Sequence, residues 1–210
     1  MGIEAVIFDL GGVVLDSPLS AFAEYEHELG LAPHALSRAV VEAGSASAWA
    51  RLERGELSME EFYLAFDAEN QTRGTPISAR TLMARVADNT QLRPAVVTAI
   101  RTIRAAGLKT AALTNSWVSA DQNQKIDALR AEFDVFVESA REGLRKPDPR
   151  IYMLACTRLR SAPNQVAFLD DIGLNLKPAR DLGMTTIKVG DYRVALQELG
   201  ELLGLVLVAR

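Results

Sequence analysis

The sequence predicts an α/β fold: a Rossmann-like parallel sheet core with an all-helical domain inserted after the first strand. Three observations carry this reading. From Pro94 onward, short apolar runs alternate with helical patterns, the signature of βαβ units and a parallel sheet. A lone apolar run, Ala5-Val6-Ile7-Phe8, stands far upstream of that alternation, and the stretch between the two shows helical periodicity alone. Finally, two of the apolar runs stop on carboxylates, Asp9 and the pair Asp170-Asp171. Parallel α/β sheets collect their working residues at the carboxyl ends of strands.

Taken in order, residues 5–10 read as a buried strand, β-branched and aromatic, halted by Gly11-Gly12. Between Pro18 and about Asn89, Leu36, Ala39, Val40 and Ala43 recur at helical spacing, as do Met59, Phe62, Tyr63 and Phe66. Ser58 with Glu61 forms a capping box that opens the second of these helices. The expected division is a core of residues 1–17 and 90–210 and a helical insertion of residues 18–89.

In the second half, Val96, Ile100 and Ile103 line a helix that Pro94 can start and Gly107 can stop. Thr110–Thr114 is strand-like and leads into Asn115-Ser116. A helix around Ile126–Leu129 precedes the short run Val135–Val137, and a helix from Pro149 to Leu159 precedes a strand at 166–169. A further helix ends at Gly183 ahead of Thr185–Val189. The last helix carries Leu196, Leu199 and Leu203 and gives way to the apolar Leu205–Val208.

Composition narrows the function. The chain of 210 residues is 49% hydrophobic and 24% charged, as one globular domain with a sizeable insertion would be. Its 23 basic and 27 acidic residues give a net charge of −4 without a basic stripe, which argues against nucleic acid. A single cysteine, Cys156, allows no internal disulfide and falls in a helical pattern, as a buried inert thiol would. No apolar stretch reaches the ~20 residues needed to span a membrane. The first strand leaves no room for a signal peptide, and Gly2 lacks the downstream Ser or Thr of a myristoylation signal. The expected location is the cytoplasm.

The acids carry the chemistry. Adjacent carboxylates at the end of an apolar strand are tolerated when a cation or a proton neutralises part of their charge. With Asp9 at a second strand end, three oxygen-rich side chains suggest Mg²⁺, and Mg²⁺ suggests phosphate. An Asp that ends one strand is more often a turn residue; the order of the remaining segments changes that balance. Thr114 and Asn115 offer a hydroxyl, an amide and free backbone N–H groups, and Lys146 lies in the loop Gly143–Pro149, made rigid by Pro147 and Pro149.

These segments (AVIFDLGGVV, ALTNSW, EGLRKPDPRIY and VAFLDDIGLNLKPARDLGM) resemble those of the haloacid dehalogenase-like (HAD) superfamily, over essentially the whole chain. Within it they most resemble the phosphatase domain that precedes soluble epoxide hydrolase and the related domain of some acyl-CoA dehydrogenases. The resemblance implies a Mg²⁺-dependent phosphatase of a small phosphorylated metabolite, with the insertion as a substrate-selecting cap. It makes Asp9 the nucleophile that forms an aspartyl-phosphate, and Asp9, the Gly11 carbonyl and Asp171 the metal ligands. Thr114, the Asn115 backbone and Lys146 would hold the phosphate. Lys146 would also neutralise the nucleophile, with Asp170 and Asn175 orienting Lys146 or a water from behind.

One departure matters. Phosphatases of this family usually carry a second Asp two residues past the nucleophile, as general acid–base; here that position is Gly11. Such groups contribute ~10²–10⁴-fold, so hydrolysis should be slow or confined to good leaving groups. Two alternatives stay open: a phosphate-binding domain whose catalysis has decayed, and a metal-independent dehalogenase, against which the Asp170-Asp171 pair argues. Asp16-Ser17 reads as a hinge turn, His27 and His34 lack partners at metal-ligand spacing, and Trp49, Phe62, Tyr63 and Phe66 read as core of the insertion. Trp117 is ambiguous, with the site entrance as one place for it, two residues past Asn115. Oligomeric state is not legible.

Overall fold

The computed structural model describes residues 2–41, 44–72, 74–75, 77–118 and 126–208. Five strands form one sheet: β1 (Ala5–Phe8), β2 (Lys109–Thr114), β3 (Val135–Glu138), β4 (Val166–Asp170) and β5 (Thr185–Lys188). Their order is β3-β2-β1-β4-β5, and every neighbouring pair is parallel. β1 and β4 are buried at each position, which is why they read as continuous apolar runs rather than alternating ones.

Alternation decides which face each residue covers. Val6, Phe8, Ala112, Ala167 and Leu169 pack with Val96, Ile100 and Ile103 of helix α6 (Pro94–Ala105) and with Leu196 and Leu199 of the last helix, Tyr192–Leu203. Ala5, Ile7, Ala111, Leu113 and Phe168 face the opposite layer, built on Ile151, Tyr152 and Ala155 of the helix Pro149–Leu159. The sheet is thus covered on both sides. Pro94 occupies the first turn of α6, and Gly107 follows it at φ 85°, so the start and stop signals act where expected. Cys156 is buried in the second layer, and its thiol is pushed up to about 11 by burial.

The insertion is helical throughout its described residues: α1 (Pro18–Glu28), α2 (Ala35–Val41), α3 (Ala48–Glu53), α4 (Met59–Thr72) and α5 (Ala79–Asn89). It has its own apolar cluster, centred on Phe22, Trp49, Phe62, Phe66 and Leu82. The capping box ahead of α4 is formed as expected: Ser58 N donates to Glu61 Oε2, and Glu61 N to Ser58 Oγ. Of the residues expected on the α2 face, Leu36 and Val40 are buried, while Ala43 lies outside the described residues. Gly55 (φ 69°) brings the α3–α4 turn against the core so closely that a Cβ there would overlap the Ala140 carbonyl oxygen.

One expectation is corrected. β1 ends at Phe8, not residue 10, because Leu10 N turns to the Asp9 carboxylate at 2.7 Å instead of continuing the ladder. The terminal run Leu205–Val208 joins no strand; Leu207 tucks into the first apolar layer while Val206 is exposed. No helix among the described residues is long and apolar enough to cross a membrane.

Candidate active site

The carboxyl ends of β1, β2 and β4 lie side by side, because β1 is the central strand with β2 and β4 as its neighbours. Asp9 N still donates to Leu169 O at 2.9 Å, a bond that sets Asp9 beside the end of β4. Asp9, Asp170 and Asp171 each offer one carboxylate oxygen within 4.8 Å of the others. Lys146 bridges two of them, its Nζ 2.8 Å from Asp9 Oδ1 and 2.7 Å from Asp170 Oδ2. The loop bearing Lys146 is held by Asn115, whose Oδ1 accepts from Lys146 N at 2.8 Å while its Nδ2 donates to Lys146 O at 3.1 Å.

Burial sets the electrostatics. Asp9, Asp170 and Lys146 are 6%, 0% and 1% exposed, so their charges are solvated by one another rather than by water. Burial holds the Asp9 carboxyl well above the usual carboxylate range, against the pull of Lys146 and with help from Asp170 and Asp171. Asp171 is also raised by burial, and a hydrogen bond from Ser17 Oγ, 2.8 Å long, works in the other direction. For Lys146 burial would lower the value, but Asp170 and Asp9 outweigh it and raise the ammonium. One ammonium among three carboxylates leaves a deficit of two positive charges (3 − 1). An all-oxygen donor set with that deficit fits a hard divalent cation.

Each expected residue can now be placed. Thr114 is buried, its hydroxyl engaged only with the neighbouring Asn115 O at 3.2 Å. Asn115 N donates to no group among the described residues, so it is free to meet an anion. The Gly11 carbonyl likewise accepts no hydrogen bond among them. Asn175 Nδ2 donates to both oxygens of Asp170 at 3.1 Å, and its own carbonyl receives the Tyr152 hydroxyl at 2.7 Å. Asp9, Gly11, Thr114, Asn115, Lys146, Asp171 and Asn175 all border one chamber of about 150 Å³.

The rest of the chamber wall comes from the insertion and its hinge. Phe22, Trp49 and Val86 are apolar residues of the insertion, and Trp117 packs on Trp49 with centroids 6.0 Å apart. Trp117 therefore lines the chamber, and Trp49 is core and site wall at once. Three features escaped the sequence. Ser17, expected only as a turn, caps α1 and holds Asp171; Asp16 instead pairs with Arg93. Gly12, with φ 75°, approaches Asp171 so closely that a Cβ would overlap its carboxylate. Glu53 of α3 reaches the chamber, where its Oε2 meets Arg145 Nε at 2.6 Å and its Oε1 accepts from Trp49 Nε1 at 2.9 Å. A Ser before Pro hinted at the first of these; the other two are long-range and left no local signal.

Comparisons place this geometry. The family model for haloacid dehalogenase-like hydrolases matches residues 3–183. Acyl-CoA dehydrogenase family member 10 of Mus musculus is 38% identical over 203 residues, 95% of this chain but 19% of that protein. Bifunctional epoxide hydrolase 2 of Sus scrofa is 33% identical over 222 residues, 99% of this chain and 40% of that protein. The chain thus spans well under half the length of either relative. Among solved structures, a dehalogenase shares 25% identity and a TM-score of 0.66, covering 96% of this chain and 97% of its own. A HAD family enzyme of Bacteroides thetaiotaomicron, solved with magnesium and inorganic phosphate, has the same fold at 17% identity and TM-score 0.63, covering 90% of this chain and 96% of its own.

Proposed function

Since this chain belongs to the haloacid dehalogenase-like hydrolase family, we propose that it is a Mg²⁺-dependent phosphatase of a small organic phosphate. The observation that supports this reading most is the junction of Asp9, Lys146, Asp170 and Asp171 at one chamber. Asp9, Asp171 and the Gly11 carbonyl would hold the cation, which when bound withdraws charge from the phosphoryl group and offsets anion–anion repulsion.

The chain's own residues do the rest. Asp9 Oδ1 is engaged by Leu10 N and Lys146, so Oδ2 is the oxygen to which we assign attack on phosphorus. The P–O(ester) bond breaks as the new one forms, and the leaving oxygen departs as an anion with the electron pair and takes its proton from solvent. A water then attacks phosphorus and gives a proton to solvent as the bond to Asp9 breaks, which frees phosphate and restores the carboxylate. Thr114 Oγ1 and the Asn115 N–H bind the equatorial oxygens, and Lys146 stays beside the nucleophile as a fixed positive charge. Asp170 and Asn175 keep that lysine in place.

Gly11 supplies no proton to the leaving oxygen, and among the described residues the chamber offers no other carboxylate than those named and Glu53 and Asp16. Turnover should therefore favour leaving groups that depart as stable anions. The absence of a membrane-spanning helix among the described residues and the lone buried cysteine support a cytoplasmic setting.

The deciding measurement is phosphate release from an aryl phosphate with Mg²⁺, with EDTA, and with Asp9→Asn. The expected result is Mg²⁺-dependent release that falls at least ~10³-fold in the variant. Release that is indifferent to both would refute the reading. A 2-haloacid run in parallel tests the dehalogenase alternative, which the dehalogenase relatives keep in view: halide release untouched by EDTA would establish it instead.

A further inference from the structure

Beside the chamber, and separate from it, lies an open groove of about 930 Å³ between the insertion and the core. The two share Arg145, Pro147 and Leu174 in their walls, so the groove begins where the chamber ends. Its charge is lopsided. Arg51, Arg54, Arg145 and Arg150 face two acids, Glu56 and Asp148. Those acids are already committed, Glu56 to Arg54 at 2.5 Å and Asp148 to Arg150 at 2.6 Å. Arg145 stands at the boundary with a side chain only 15% exposed. Its one ion-pair partner among the described residues is Glu53, which touches Nε, and that Nε–H makes no well-aligned hydrogen bond. Among the described residues its two terminal nitrogens have no partner.

A mostly buried guanidinium whose two terminal nitrogens are unpaired among the described residues keeps donors ready for an anion. The chamber itself is small, about 150 Å³, close to the size of an apolar cavity that admits one benzene ring. A substrate whose phosphate sits at Asp9 fills it with a compact carbon body, and whatever lies beyond must pass Arg145.

We propose that the groove receives a second anionic group of the substrate, a carboxylate or second phosphate at the far end of a compact body, with Arg145 as the residue that selects it. This rests on the phosphatase reading and narrows its substrate class. Glu53 then has a defined part: it holds Arg145 at the boundary and competes with the incoming anion for it. Fork-shaped pairing of guanidinium with carboxylate or phosphate is the geometry such a site offers.

The test compares aryl phosphates matched in leaving-group strength: 4-(carboxymethyl)phenyl phosphate, its phosphonomethyl counterpart and the neutral 4-(carbamoylmethyl)phenyl phosphate. The wild-type protein is expected to prefer the anionic tails on the order of tenfold in kcat/KM, with the ratio shrinking as salt rises. Carboxylate against phosphonate tells which anion is meant. Glu53→Gln, which frees Arg145, should increase the ratio, whereas Glu53→Gln with Arg145→Met, which removes both charges together, should bring it towards one. A role in packing alone would move neither ratio in opposite directions. A wild-type ratio within twofold overturns the proposal and leaves the phosphatase reading intact. Should no phosphate be released from any of them, the phosphatase reading falls. Titration calorimetry of the same compounds on Asp9→Asn then decides the groove: tighter binding of the anionic tails sustains it, and equal binding overturns it.

Discussion

Gly12 and Asp171 are 159 residues apart in number (171 − 12), yet the space where a Gly12 side chain would stand is occupied by the Asp171 carboxylate. With φ at 75°, the glycine is required twice over, by the backbone and by that close approach. Gly12→Ala should cost about 1–2 kcal/mol from the backbone alone and also displace Asp171 from Ser17. We expect a lower Tm and, beyond it, loss of most Mg²⁺-dependent thermal stabilisation. Thermal melts with and without Mg²⁺ check this; a variant that keeps the full Mg²⁺ increment would show Asp171 not to be a ligand.

Gly11 behaves differently from its neighbour. Its φ is not positive, and a Cβ there meets only Pro18 Cδ at 3.4 Å, an ordinary contact. Gly11→Asp should therefore fold, and it places an acid two residues past Asp9. Activity should rise on poor leaving groups by ~10²-fold, flattening the dependence of rate on leaving-group pKa. A series of aryl and alkyl phosphates measures that slope, with circular dichroism to confirm the fold. An unchanged slope would mean that protonation of the leaving oxygen is not what Gly11 withholds.

The two acids at the end of β4 should separate cleanly. Asp170→Ala strands the buried Lys146 with one partner and leaves Asn175 without its acceptor, a loss of about 3–5 kcal/mol. Asp171→Ala removes a partly buried carboxylate bonded to Ser17, worth about 1 kcal/mol. Metal-free melting should thus punish Asp170→Ala more, while the Mg²⁺ increment should vanish mainly in Asp171→Ala. The reverse pattern in either measurement would exchange the two assignments.

Cys156 offers a test independent of the site. Its thiol is 2% exposed and held at about 11, against an ordinary 9.0, by burial. A thiol raised on folding gives stability that is complete below the unfolded value and lost as pH climbs from about 9 towards 11. At pH 8 a thiol reagent should label the native protein no faster than it unfolds, and denaturant should expose one thiol. Rapid labelling of native protein would contradict the packing of the helix Pro149–Leu159.

How much of this was legible beforehand depends on the range of each interaction. Periodicity located β1, β2, β4 and β5, the insertion helices α2 and α4 and the helices from α6 onward, because their burial is uniform or alternating over several residues, whereas α3 and α5 carried no pattern that set them apart. It extended β1 too far, since the turn after Phe8 is made by the Asp9 carboxylate and not by any apolar pattern. Asp9, Lys146 and the Asp170-Asp171 pair stood out because a charge at the end of an apolar run is locally conspicuous. Glu53 did not: on α3 nothing local marks it out, and only the meeting of the insertion with the Arg145 loop gives it an ion-pair partner.

The place of β1 in the sheet has a further consequence, for folding. Asp9 lies just past the middle strand, whose neighbours arrive more than 100 and 150 residues later in the chain, as the registers Ala5 with Lys109 and Ala5 with Val166 record. A chain that has laid down β1, β2 and β3 already has an apolar centre but only one of its three acids. Closing β4 against β1 is a distant contact and correspondingly slow to form. Recovered activity should accordingly lag the return of helical signal during refolding, so that turnover becomes a clock for the last strand to dock.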